Sequence, residues 1–194
     1  MIWLLGGILL GCLTLRVALC LPQFKKKRRS KATRKEGKRN TMIYLGSGGH
    51  TTEMIALITK LDTNVYFPVH FVLGESDITS RPKIEASNLK QFNEKNTKWH
   101  TIPRAREVKQ SWITTIFTTL WSMVHSVYLI FYVQPDLFIC NGPGTCVPMA
   151  FAVFLLQLLN IKETNIVFVE SFCRVNSLSL SGWNLYSYYI QRPY

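Results

Sequence analysis

Three short stretches carry residue types whose spacing could do chemistry. The first is Gly46-Ser47-Gly48-Gly49-His50-Thr51-Thr52-Glu53, which joins a short apolar run to a helical pattern. Glycines at such a turn let bare backbone N–H groups approach a phosphate at a helix N-terminus. A tight strand-to-helix turn calls for glycine on geometry alone, so the pattern admits both readings. It is not a Walker A loop, because no Gly-Lys-[ST] follows. Gly46 and Gly48 fit G-x-G-x-x-G, but Thr51 stands in the third glycine's place, and Glu75 is too far on to be the ribose acid of a dinucleotide site. His50 sits where the helix begins and can face a crevice at the strand ends. Glu53 follows three residues later on the same helical face, where a carboxylate orients an imidazole and raises its basicity. Complementing the helix dipole is the plainer role for Glu53.

The second stretch is Cys140-Asn141-Gly142-Pro143-Gly144-Thr145-Cys146, another backbone-rich loop ahead of a helix. The third is Val169-Glu170-Ser171-Phe172-Cys173-Arg174. Glu170 would lie at the C-terminal end of a strand, the usual ligand crevice of a parallel sheet. It could equally pair with Arg174. Three such loops opening onto one sheet edge form a stronger pattern than any one alone. The five Cys contain no C-x-x-C and the four His no H-x-x-x-H, which argues against a disulfide framework and a zinc site.

The elements that must position these loops follow from the apolar pattern. Strands are expected at Met42–Leu45, Val69–Leu73, Lys98–Ile102, Leu137–Cys140, Ile166–Val169 and Tyr188–Gln191. Helices are expected at Thr51–Leu61, roughly Pro82–Phe92, Ser111–Val133 and Val147–Leu159. Alternation of this kind predicts βαβ units and a Rossmann-like parallel sheet of the α/β class. Ser111–Val133 contains no Asp, Glu, Lys or Arg and could be read as a membrane span. Its Thr, Ser and His125 favour a core helix with one aromatic, lipid-facing side. Pro148 suits the first turn of the helix that follows.

Ahead of this body lies an apolar segment, residues 1–21, in which only Arg16 is charged. Its length, about 30 Å as a helix, matches a bilayer core. A cleaved signal peptide is the rival reading, but no basic residue precedes Arg16. Residues 25–39 then hold ten basic residues against Glu36 alone, most of the chain's net charge of +12. The rest of the chain is nearly balanced, so the basic pI describes one linker and not a nucleic-acid-binding face. Positive charge after the span places the body in the cytosol and the N-terminus across the membrane. The expected organisation is a transmembrane anchor over 1–21, a polybasic juxtamembrane linker over 22–40 and a Rossmann-like domain over 41–194.

These motifs, with Ile102-Pro103-Arg104-Ala105-Arg106-Glu107-Val108 and Gln134-Pro135-Asp136-Leu137, resemble the membrane-anchoring subunit of the two-part UDP-N-acetylglucosamine transferase of asparagine-linked glycosylation. The resemblance runs from Met42 to about Gln191. It implies the acceptor-side half of a split GT-B glycosyltransferase whose soluble partner binds UDP-GlcNAc. Together the two would add the second GlcNAc to GlcNAc-diphosphodolichol on the cytosolic face of the endoplasmic reticulum. By position, His50 is the candidate base on the sugar hydroxyl, with Glu53 and Glu170 grouped beside it as catalytic candidates. Gly46, Ser47, Gly48, Gly49, Thr51, Asn141, Gly142, Pro143, Gly144 and Thr145 are the candidate substrate-binding positions, facing the lipid diphosphate. No metal, no other cofactor and no nucleic acid is implied. Relatives continue past the sixth strand with a tryptophan-containing turn that helps hold the partner. Arg192 stands at that tryptophan's place, so the domain is expected to be short at its C-terminus. Two other classes compete: a membrane recruiter without catalytic residues, and a membrane-tethered nucleotide-binding protein.

Overall fold

The computed structural model describes residues 37–87, 89, 91–93, 95–105, 110–141 and 146–171, with Thr14 alone before them. The apolar segment 1–21, most of the basic run, the loop Gly142–Thr145 and the expected strand Tyr188–Gln191 lie outside the described residues.

The strands are β1 (Thr41–Leu45), β2 (Val69–Gly74), β3 (Thr97–Ile102), β4 (Leu137–Asn141) and β5 (Asn165–Val169). The helices are α1 (Gly49–Ile58), α2 (Ser80–Ala86), α3 (Trp112–Val133) and α4 (Val147–Leu158). All four strand pairings are parallel, in the order β3-β2-β1-β4-β5. This is a Rossmann-like α/β sheet. The centre reads as continuous apolar sequence because helices cover both faces. Met42, Tyr44, Val72, Phe138 and Cys140 pack with α3 and α4 on one face. Ile43, Leu45, Phe71 and Ile139 pack with α1 and α2 on the other.

Two helices differ from their expected bounds. α2 starts at Ser80, so Pro82 falls in its first turn, where its missing N–H costs nothing. It ends at Ala86, where the Ser87 hydroxyl donates to Ile84 O at 2.6 Å and caps the last turn. α1 begins two residues early, at Gly49, so His50 lies inside its first turn.

α3 is the long element. Ser111 caps its start, and Gln134 ends it in the left-handed conformation. Thr118 and Thr119 donate to Ala105 O at 2.8 and 3.0 Å, which fixes its N-terminal half to the segment after β3. Its C-terminal half buries Leu129, Ile130 and Val133 against the sheet. The chain enters β1 beside that end: Asn40 Nδ2 donates to Val133 O at 2.7 Å and Asn40 N to Asp136 Oδ2 at 2.9 Å. Ile113–Val133 is long and apolar enough to cross a membrane by length and composition.

On the α3 side of β2 and β3, His70 Nδ1 lies 2.8 Å from His100 Nε2 and the rings stack. Burial first, then the neighbouring His100 and Lys98, hold His70 down from its ordinary 6.5 to about 4. Burial and Lys98 lower His100 too. Between those values the unfolded chain binds protons that the folded chain refuses. Stability is therefore full above pH 6.5 and falls as the pH drops towards 4. Thermal unfolding should move to lower temperature over that window, and His70→Phe, which keeps a stacked ring, should flatten the fall.

Candidate functional site

The C-terminal ends of all five strands share one edge, and β1 and β4 are adjacent there. The segment after β1 leads to a helix on one face and that after β4 to a helix on the other, so a crevice opens between them. Gly46 to His50 form one wall and Asn141 the other. Asn141 Nδ2 donates to His50 O at 2.8 Å.

Glu53 stands in the second turn of α1. Its Oε2 lies 3.1 Å from His50 Nδ1. Asn141 Nδ2 approaches the same oxygen at 3.4 Å. Ser171 Oγ donates to Oε1 at 2.7 Å. One carboxylate thus gathers donors from α1, β4 and the segment after β5. The tautomer that donates Nδ1–H to Glu53 is the one whose Nε2 can accept a proton, as a general base must. The His50 side chain is 31% exposed, and that of Glu53 14%.

A second chain of hydrogen bonds braces the turn from below. Thr51 Oγ1 donates to Gly46 O at 2.6 Å and touches Ser80 Oγ at 2.6 Å. Ser80 Oγ donates to Asp77 Oδ2. Burial alone would raise the Asp77 carboxyl, but hydrogen bonds from Ser80 and Thr79 outweigh it and the net shift is downward. Asp77 is thereby an acceptor at neutral pH. Thr51, placed by sequence among the substrate-binding positions, is fully buried and spends its hydroxyl on this brace.

The other expected positions fall as follows. Ser47, Gly48 and Gly49 form the outer rim of the turn, the two glycines exposed. Gly48 has φ 71°, a conformation that favours glycine. Glu170 is half-buried at the same sheet edge, after β5. Its suggested partner Arg174 and the positions Gly142, Pro143, Gly144 and Thr145 lie outside the described residues. Cys140 is buried beside Cys146, and burial, then that thiol, push it well up, so it stays a thiol and not a nucleophile.

Three residues escaped the sequence reading. Ser171 was only part of a motif. Lys83 donates to Gly48 O at 3.2 Å across 35 positions, and no local spacing reveals that approach. Arg104 lies over Gly74 at the end of β2, where a Cβ would meet its Cγ at 3.1 Å. Lys83 and Arg104 thus stand on the β2 side of the turn, and the imidazole–carboxylate pair reaches towards the segment after β5.

These features define an open-sheet α/β domain with the His50–Glu53 pair at its topological switch point. The particular family follows from comparison: residues 41–190 match the family described as oligosaccharide biosynthesis protein Alg14 like, and the chain belongs to it. It is 47% identical over 158 residues to the rat protein named UDP-N-acetylglucosamine transferase subunit ALG14, spanning 77% of this chain and 73% of that one. The human protein of that name is 48% identical over 158 residues, with the same two shares. That of Schizosaccharomyces pombe is 42% identical over 154 residues, 77% of this chain and 71% of its own.

A Cβ at Gly46 would lie 2.8 Å from His50 Cβ and 3.2 Å from Asn141 O. Neither neighbour can yield, since one belongs to α1 and the other ends a central strand. Gly46→Ala should cost about 1–3 kcal/mol in chemical denaturation. Ser47→Ala, on the half-open rim, should change stability by no more than about 0.5 kcal/mol.

Proposed function

We propose that this chain is the acceptor-binding and membrane-anchoring subunit of a UDP-GlcNAc transferase. In this reading it forms the N-terminal half of a split GT-B enzyme. It adds the second GlcNAc to GlcNAc-diphosphodolichol on the cytosolic face of the endoplasmic reticulum. Residues 1–21 anchor it, 22–40 link the anchor electrostatically to the bilayer, and 41–194 hold the acceptor. The observation that carries the reading is the His50–Glu53 pair at the glycine turn of a chain in the Alg14 family.

The chemistry is acceptor activation. His50 Nε2 takes the proton of the acceptor sugar hydroxyl as its oxygen attacks the anomeric carbon of the donor. The bond from that carbon to the UDP oxygen breaks, and UDP leaves with the electron pair. Glu53 holds the imidazole and stabilises the imidazolium. Glu170 lies on the same edge and serves the same site. The diphosphate of the lipid acceptor sits towards Gly46–Gly49, with Asn141–Thr145 facing it. Lys83 and Arg104 supply cationic character on that side.

The donor needs its own site for uridine, diphosphate and sugar. A second Rossmann-like domain takes roughly 100–150 residues. In this reading a soluble donor-binding subunit supplies that site and faces the acceptor crevice. Transfer of labelled GlcNAc from UDP-GlcNAc should appear only when that subunit is added. In the assembled pair, His50→Ala should lower kcat by roughly 10²–10⁴ with the fold intact. Retained turnover would favour a membrane recruiter without a base of its own. Turnover by the chain alone would overturn the split-enzyme reading.

The membrane reading has a structural support of its own. α3 presents Ile113, Ile116, Phe117, Leu120, Trp121, Val124, Tyr128 and Tyr132 outward, with Phe117 and Tyr128 70% and 72% exposed. Phe131, on the inner side, packs against the core. Asn40, where the linker enters β1, hydrogen-bonds Val133 at the C-terminal end of this helix. In this reading the apolar stripe rests on the lipid and the basic linker over 22–40 supplies the charge that anionic lipid attracts. The joint variant Phe117→Glu, Trp121→Glu should raise KM for a long-chain acceptor in vesicles by about tenfold or more, given about 1.5–3 kcal/mol for each aromatic buried. KM for a water-soluble short-chain analogue should stay unchanged.

A further inference from the structure

Among the described residues, Glu53 touches all three strand-end segments, and its two oxygens are used differently. Oε2 faces His50 Nδ1 and, at a longer distance, Asn141 Nδ2. Oε1 is taken by Ser171 Oγ at 2.7 Å, the shortest of the three contacts. A Glu side chain has three rotatable bonds, and holding it in one rotamer costs entropy. The Asn141 contact, at 3.4 Å, is too long to fix the carboxylate plane. The Ser171 bond is short and charge-assisted, so it can.

We propose that Ser171 is a positioning residue for the transfer reaction. Its hydroxyl holds the Glu53 carboxylate so that Oε2 stays in line with His50 Nδ1. That keeps the imidazole in the tautomer whose Nε2 is bare towards the crevice. In this role the Ser171 hydroxyl hydrogen is given to Glu53, so it is not donated to a substrate. A residue that acts in this way couples the end of β5 to the start of α1, 118 positions apart in the chain. The inference rests on the reading of His50 as the base.

The test uses the full chain assembled with its soluble partner subunit, in the labelled UDP-GlcNAc transfer assay. Ser171→Thr keeps the hydroxyl, and Ser171→Val has the shape of threonine without it. Ser171→Thr should retain at least about half of kcat. Ser171→Val should lose roughly tenfold or more in kcat, the scale of one hydrogen bond to a charged group, with KM for both substrates within about twofold. In a Glu53→Gln background the Ser171→Val change should cost no more than about twofold further, because the route through the carboxylate is already broken. Equal kcat for the Thr and Val variants would overturn the proposal, as would a full additional loss on top of Glu53→Gln, or an effect confined to KM. His50→Ala in the same assay separates the two levels. Full turnover without His50 removes the base reading itself. Loss without His50, combined with an indifferent Ser171→Val, removes only the role given to Ser171.

Discussion

The arrangement depends on one partly buried carboxylate. A charge taken out of water is costly unless donors replace the water it loses. Glu53 receives them from His50, Asn141 and Ser171. Those donors belong to segments far apart in the chain, 88 positions for Asn141 and 118 for Ser171. The sheet brings them together because parallel strands end on one edge, whatever their distance in sequence. A carboxylate at that edge then acts as a rivet, and the imidazole it holds is oriented by the whole sheet rather than by α1 alone.

The rivet can form only if the first wall stands close to the second. Gly46 has no side chain, and β4's last carbonyl and the His50 side chain occupy the space that one would need. From the other side, Thr51, Ser80 and Asp77 tie the turn to the start of α2. Two hydroxyl protons serve three short contacts in that chain. The hydroxyls must therefore share, and an ionised Asp77 orders them by accepting from its end. The glycine turn is thus clamped between a charged pair above and a hydroxyl chain below. Such pre-organisation is what a positioned base requires, since misplacement by an ångström costs rate.

The strands and long helices were legible in the sequence because the buried parallel strands are short apolar runs and the helices are long. The crevice was legible too, through glycines at Gly46 and Gly48 and a histidine three residues ahead of a glutamate. What was not legible came from long-range register. Nothing local in Thr51 distinguishes a ligand-facing hydroxyl from one spent on Gly46 O. Ser171 gains its part only once β5 lies beside β4, and Lys83 only once α2 packs on α1. The early end of α2 depended on the Ser87 hydroxyl, a cap with weak sequence signal. Which side of α3 faces outward was not legible, because a helix without charged residues gives no clear polar stripe from which to tell inside from outside.

That last ambiguity has a physical answer in α3. An ordinary surface helix buries its large apolar side chains and shows polar ones. α3 does the reverse over its middle: Ser122 and Ser126 are fully buried, while Trp121 and Val124 are exposed. Neither serine hydroxyl has a hydrogen-bond partner among the described residues. Small residues on the inner face allow close packing, so the identity of the outer face is not dictated by the core. A stripe of eight large apolar residues in water is unfavourable, and soluble surfaces seldom keep one that long without a partner. Yet the helix cannot simply leave for a bilayer. Thr118 and Thr119 hold Ala105 O, and Leu129, Ile130 and Val133 belong to the core, so extraction would open the sheet face. The arrangement that satisfies both constraints keeps the inner face on the sheet and lays the outer face against an apolar phase. In the proposed reading, that phase is the lipid surface.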